Sequence, residues 1–351
     1  MKRRKFITIL GAAAAARRGG SRDGSEAPSQ RARVLVFCAA VLLYAWRPAA
    51  AQGWTEKTTR FILPVSAGTT QDTSVRLVAD RLTQSLGRSF IVENMPGGRG
   101  LIAAQTAARA EPDGYTYFLG GVGVIAADRH LFKSLPYNPD RDFVPVAMIY
   151  DSAAFVVAVH PDVPAKSVSE LITLAKSQPG KLSYGTGTVG VLAMPGLWFN
   201  KLAGTELVAV PYNNSAQMMQ DAVAGRTQVL FTTIGAVEPF RRAEKLRVLG
   251  VTSIKRFPGL EQVPTIAETL PGYDIVGIGI LMAPAGTPTA ILQRLNREVD
   301  RIVKDQDFIQ RLIGLGMTTA GAGTLQSLTE FMRAQRENWD RMFSYVPIAP
   351  Q

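Results

Sequence analysis

The sequence predicts an α/β protein of two lobes built on a mainly parallel sheet. Three observations carry that expectation. Short apolar runs alternate with stretches of helical period; glycine- and proline-rich turns separate them; and two breaks, after residue 157 and before residue 275, divide the chain so that the first lobe is discontinuous. At 351 residues the chain can bury a large core in more than one unit. The expected organisation is a targeting segment over 1–51, a first lobe from 52–157 plus 275–351, and a second lobe from 158–274, with a ligand cleft between the lobes.

The amino-terminal segment carries most of the excess charge. The net charge is +11, yet ten of the 39 Lys and Arg and only two of the 28 acids fall in residues 1–51, which leaves 29 basic against 26 acidic groups, about +3. A near-neutral body does not support a phosphate-tracking surface, so no nucleic-acid partner is expected. Arg3 and Arg4 precede a first short apolar run; Arg31 and Arg33 precede a second, Val34 to Trp46, which ends at Ala49-Ala50-Ala51. An apolar run of about 13 residues is shorter than the ~20 needed to span a bilayer, so the segment reads as an export signal cleaved after Ala51. Cys38, the single cysteine, lies inside it, and the mature chain would contain no thiol or disulfide.

Past the signal, Phe61, Ile62, Leu63 and Val65 form a buried-strand run that passes through Ser66, Ala67, Gly68, Thr69 and Thr70 into a helix with Leu77, Val78, Leu82 and Leu86 on one face. Small residues between strand and helix leave backbone N–H groups bare at the positive end of a helix dipole, where an anion is favoured. Asp72 in the first turn reads foremost as a partner of that dipole. Phe90-Ile91-Val92 is the next strand, followed by the Gly97-Gly98-Arg99-Gly100 turn, an Ala-rich helix from Leu101 to Ala110, the Glu111-Pro112-Asp113-Gly114 turn and a strand at Tyr115 to Leu119. Phe143 to Ile149 and Phe155 to Val159 read as two strands, and a helix capped by Ser167 runs over Val168 to Lys176. In the second lobe, strands at Leu207 to Val210, Gln228 to Phe231 and Leu246 to Thr252 flank a helix at Ser215 to Ala224 capped by Asn214 or Ser215. After the second apolar passage, Ile275 to Met282, a candidate return crossing, the chain reads as helical only, with Ile291, Leu295, Val299 and Ile302 at helical spacing and a last helix over Phe331 to Phe343.

Chemistry-bearing residues are sparse. His130 and His160 are far apart, no metal-ligand spacing occurs, and no serine- or thiol-nucleophile motif is present, so neither a catalytic residue nor a metal is assigned and no cofactor is expected. Gly185-Thr186-Gly187-Thr188-Val189-Gly190 satisfies the dinucleotide pattern, but Glu206 lies before its strand rather than after it, where a ribose contact needs an acid. What remains is a glycine-rich loop able to offer N–H groups. Pro211-Tyr212-Asn213-Asn214-Ser215 reads as a further loop before a helix.

Leu63-Pro64 with Gly68, Asp72 and Arg76, then Val92-Glu93-Asn94, Pro112-Asp113-Gly114-Tyr115-Thr116, Leu135-Pro136-Tyr137, Asp142-Phe143, Pro211-Tyr212 and Ala283-Pro284-Ala285-Gly286-Thr287-Pro288 together resemble the Bug receptors, the extracytoplasmic solute-binding proteins of tripartite tricarboxylate transporters. The resemblance runs over about residues 58 to 343. It implies a two-lobed periplasmic binding fold of type II character, a small carboxylated solute in the cleft, and delivery by a monomeric receptor to a membrane permease. The expected ligand-binding residues are Ser66, Ala67, Gly68, Thr69, Thr70 and Asp72 in the first loop, Val122 and Gly123 after the third strand, Thr186, Gly187 and Thr188, then Tyr212, Asn213 and Ser215, with Thr232 at the distal end. Several of these depart from the family's usual pattern: Ser66-Ala67-Gly68-Thr69 stands where relatives carry Pro-Pro-Gly-Gly, and Thr232 where an Asp is common. No Arg or Lys is conspicuous in these loops, so selectivity is expected from oriented N–H groups and a distal end less polar than in relatives. A periplasmic sensor feeding a two-component system would use the same cleft, and a dinucleotide-dependent oxidoreductase is the remaining alternative.

Overall fold

The structure, a computed structural model, describes residues 57–346, 348 and 350 apart from 188–190 and 213. The signal segment, its cleavage site after Ala51, Cys38, Thr188 and Asn213 lie outside the described residues. Strand β1 (Thr59–Leu63) is buried on both faces, with Phe61, Ile62 and Leu63 fully covered, as expected of a central strand between layers. It leads into α1 (Thr70–Leu86), which buries Val75, Val78, Ala79 and Leu82 and ends where Gly87 takes the left-handed conformation. Strand β2 (Phe90–Asn94), α2 (Leu101–Ala108) and β3 (Thr116–Gly120) follow; a π-turn over Gly123–Ala127 then runs into the one-turn helix α3 (Asp128–Leu131).

The two strands expected at Phe143 to Ile149 and Phe155 to Val159 are one, β4 (Phe143–Val159), and it organises the whole sheet. Its first twelve residues pair with β9 (Val276–Pro284), while Phe155 to Val159 lie between β7 (Val229–Thr233) and β8 (Arg247–Val251). With β5 (Ser183–Gly187), β6 (Val208–Tyr212) and β10 (Met317–Thr318), the sheet order is β2-β1-β3-β9-β4-β7-β5-β6, with β8 and β10 also paired to β4. The sheet is mixed rather than mainly parallel. β1 pairs in parallel with β2 and β3, and β5 with β6 and β7, but every partner of β4 is antiparallel. The carboxy-terminal region is also not helical only, since Met317 and Thr318 pair with Ala153 and Ser152.

The helices of the second half are α4 (Val168–Ser177), capped by Ser167, α5 (Met194–Ala203), α6 (Ser215–Val223), capped by Asn214, and α7 (Ile234–Arg242). Helix α8 (Thr289–Val303) buries Leu292, Leu295, Val299 and Ile302 on one face, and α9 (Gln306–Gly314) and α10 (Leu325–Tyr345) complete the chain. Each parallel pair is an open α/β unit, and in such units ligands sit beyond the carboxyl ends of the strands.

Candidate functional site

The loop from β1 to α1 is held from behind by a buried acid. Asp72, 2% exposed, accepts the Gly68 N–H at 2.8 Å and Arg76 Nε at 3.0 Å on Oδ2, and Asn94 Nδ2 at 2.9 Å on Oδ1. Asn94 also donates to the Val65 carbonyl at 3.1 Å and accepts from Arg76 Nη2 at 2.7 Å. Burial raises the Asp72 pKa, but the bonds from Arg76, Gly68 and Asn94 outweigh it and hold the carboxyl below the usual carboxylate range. Thr69 caps α1 through the Asp72 N–H, and its own hydroxyl donates to the Ser66 carbonyl. Gly68 adopts φ +82°, a conformation that glycine takes without strain. The Gly68 N–H is therefore spent on Asp72. The groups at this helix start without an intrahelical acceptor are the N–H groups of Thr70 and Gln71.

Next to that helix start is a cavity of about 180 Å³. Gln71 of α1, Arg99 of the glycine-rich turn, Gly123 and Asp128 after β3, Tyr150 of β4 and Ile278 of β9 form its walls. The turn reaches it because Arg99 takes φ 56° and Gly100 φ +90°; a Cβ on Gly100 would stand 3.0 Å from the Pro64 side chain. The Arg99 guanidinium lies 5.5 Å from the Phe132 ring centre. Tyr150 is buried and bonds Gln71; burial pushes its hydroxyl pKa up, and the bond opposes that only in part. Asp128 is 6% exposed and accepts the Tyr137 hydroxyl on Oδ2 at 2.8 Å. Burial raises its pKa, with Tyr137 and the Arg99 charge pulling the other way.

The expected residues converge only in part. Gly123 lines this cavity, as do Val65 and Gln71, which flank the Ser66 to Thr70 loop. Val191, in the segment after β5, approaches within 3.8 Å of the place a Cβ on Gly123 would take, and Thr70 stands 4.0 Å from the corresponding position on Gly235 at the start of α7. Ser66, Ala67 and Gly68 are exposed, and Thr69 and Thr70 half-buried. Val122 turns into the core instead. Gly187 ends β5, and Thr186, 3% exposed, gives its hydroxyl to the Leu192 carbonyl. Thr232 is buried within β7 opposite Val156. Tyr212 is in strand β6 rather than a loop, with its hydroxyl on Asp221 Oδ2 at 2.9 Å, and Ser215 starts α6 exposed to solvent. Nor does the Gly185 run open a helix directly, since Gly185 to Gly187 belong to β5 and α5 begins at Met194.

Arg99 brings a cation to the wall of this cavity, a residue that the sequence expectation for the cleft loops did not include. The sequence signal was the Gly97-Gly98-Arg99-Gly100 turn itself, where glycines bend a cation back toward the first loop. Asp128 and Tyr150 gave no comparable signal, because each stands at the end of an apolar run with no turn motif around it. A larger cavity, about 580 Å³, is lined by Lys166, Arg241, Arg247 and Pro264. The small cavity is the better candidate, since it adjoins the carboxyl ends of the parallel strands. Among the described residues, no group of three or more His, Cys, Asp or Glu is placed to hold a metal ion.

Residues 74–346 match the tripartite tricarboxylate transporter family receptor, TctC. The chain belongs to this family. Among solved structures, this TctC-family chain is similar to Rpa4515 of R. palustris, solved with adipate: 32% identity, TM-score 0.76, covering 85% of this chain and all of that one. It is similar to the periplasmic binding protein BugD at 25% identity and TM-score 0.71, over 85% of this chain and 100% of BugD. MatC from Rhodopseudomonas palustris, with bound malate, is 28% identical with a TM-score of 0.69, over 81% of this chain and 98% of MatC. These TctC-type neighbours are binding proteins, and they share the α/β fold described above.

Proposed function

We propose that this receptor works in the periplasm, released from its 1–51 signal, capturing a small organic acid and handing it to the permease of a tripartite tricarboxylate transporter. The supporting observation is the cavity of about 180 Å³, where the start of α1 and Arg99 offer positive charge at the carboxyl ends of the parallel strands. The ligand carboxylate meets the first-turn N–H groups and Arg99, and Gly68 keeps the approach open. The adipate of Rpa4515 and the malate of MatC give the class of solute its scale. Residues 158–274 form the second lobe, joined through β4 and β9, and the protein acts by binding, as a monomer, without chemistry on its ligand.

A thermal-shift screen of the mature chain tests this. A ligand present at about 100 times its dissociation constant stabilises the native state by roughly 2.7 kcal/mol. For a chain of this size the melting temperature should then rise by roughly 5 degrees. Shifts with mono- or dicarboxylates support the reading; shifts with sugars or NAD and none with any carboxylate overturn it.

A further inference from the structure

Asp128 is a buried carboxylate for which the fold supplies half a partner set. Its Oδ2 takes the Tyr137 hydroxyl. Among the described residues, no hydrogen bond to Oδ1 accompanies it. Oδ1 instead lies 3.3 Å from the position a Cβ on Gly123 would occupy, and Gly123 and Asp128 line the same cavity. Glycine at 123 thus leaves this oxygen uncovered, where any side chain would crowd it. Arg99, on the same cavity wall, acts on Asp128 through its charge. Burying a carboxylate is costly unless its oxygens find donors, and a group that fills the cavity is placed to supply one to Oδ1.

We infer that Asp128 sets ligand specificity: Oδ1 accepts a hydrogen bond from a hydroxyl or ammonium group borne by the captured acid, and its charge turns away an acid that would place a second carboxylate there. This rests on the carboxylate-receptor reading. The cavity, about 180 Å³, admits a small acid with one such substituent. The acid's carboxylate faces the α1 start and Arg99, and its donor reaches Asp128. A hydroxyl then gives Asp128 a hydrogen bond and an ammonium adds an opposite charge, whereas a plain dicarboxylate would set two negative groups against each other.

The test is isothermal titration of the mature chain with butanoate, 3-hydroxybutanoate, 4-aminobutanoate and succinate. Wild type should bind a donor-bearing acid at least about tenfold tighter than butanoate or succinate, the discrimination expected when a buried acceptor is left unpaired. Asp128→Asn removes the charge and adds an N–H donor, and it should reverse the order in favour of succinate. Gly123→Ala, at a position with no left-handed backbone, places a methyl 3.3 Å from Oδ1 and should erase the preference with Asp128 still in place. If Asp128→Asn does not fold, Gly123→Ala decides alone. Wild-type acid binding without preference for a donor, or folded variants that keep the wild-type order, would overturn this inference and leave the receptor reading standing. A wild type that binds no carboxylate in the panel or the wider screen would remove both.

Discussion

The two cavities differ in a way that volume does not capture. The larger, about 580 Å³, has in its wall two arginines whose partners are already within the chain. Arg247 donates to the carbonyls of Ala165 at 3.1 Å and Val163 at 3.4 Å; Arg241 forms a fork on Glu238 at 2.7 and 2.8 Å; and Ser167 is occupied in capping α4. The smaller, about 180 Å³, is bordered by Gln71 in the first turn of α1 and by Asp128, whose Oδ1 takes no hydrogen bond among the described residues. An open helix start offers an anion N–H donors that the paired arginines of the larger cavity do not.

Substitutions on the two sides can sharpen or break that contrast. The largest effect is expected at Asp72, since Asp72→Ala strands the Gly68 N–H, Arg76 and Asn94 at once. It should cost ~3 kcal/mol by urea denaturation and abolish acid binding with the loop shape. Unchanged stability would mean that the loop holds its form without Asp72. Gly68→Val comes next. Nothing lies within 4 Å of the added Cβ, so the cost of ~1–2 kcal/mol comes from φ +82° alone, lowering the melting temperature by about 2–4 degrees. Binding should vanish, and normal affinity in the folded variant would take this loop out of the site.

A matched pair of arginine variants addresses the contrast directly. Arg99→Ala at the small cavity should weaken carboxylate binding about tenfold, worth ~1.4 kcal/mol, whereas Arg241→Ala at the large one should leave affinity unchanged. Equal losses in titration calorimetry would make the two cavities functionally alike. The smallest effect concerns acid stability. The Arg241 hydrogen bond, against the cost of burial and with help from Arg242, holds Glu238 down at about 2 from 4.5. A depressed carboxylate stabilises the fold above its unfolded value and loses that contribution as pH falls from 4.5 toward 2. Glu238→Gln should therefore flatten this part of the stability profile by about 1 kcal/mol, discounted for solvent screening, with no change in binding at neutral pH. An unaltered acid limb would show that the Glu238 fork contributes nothing to stability.

What the sequence determined by itself is local. Ser167 and Asn214 cap the helices expected of them, because an N-cap needs only a side-chain acceptor beside the first turn. The spacing of Leu295, Val299 and Ile302 fixed the buried face of α8, and the strand-to-helix passage at Ser66 to Thr70 was legible from small residues alone. Tertiary structure decided the rest. Apolar runs at Phe143 to Ile149 and Phe155 to Val159 do not say that they are one strand, nor that its neighbours run antiparallel, since pairing direction depends on segments far away in the chain. In the same way Asp72 read as a dipole partner from its position, and only folding brought Asn94 behind it to make the cage that shapes the loop. Neither the glycine turn around Arg99 nor the segment around Asp128 says that the two meet; they share a cavity because the parallel pairing of β1 with β2 and β3 aligns the strand ends from which both segments depart. Capping and periodicity are satisfied within a turn or two of chain, whereas a binding site is an agreement among distant elements that no single stretch records.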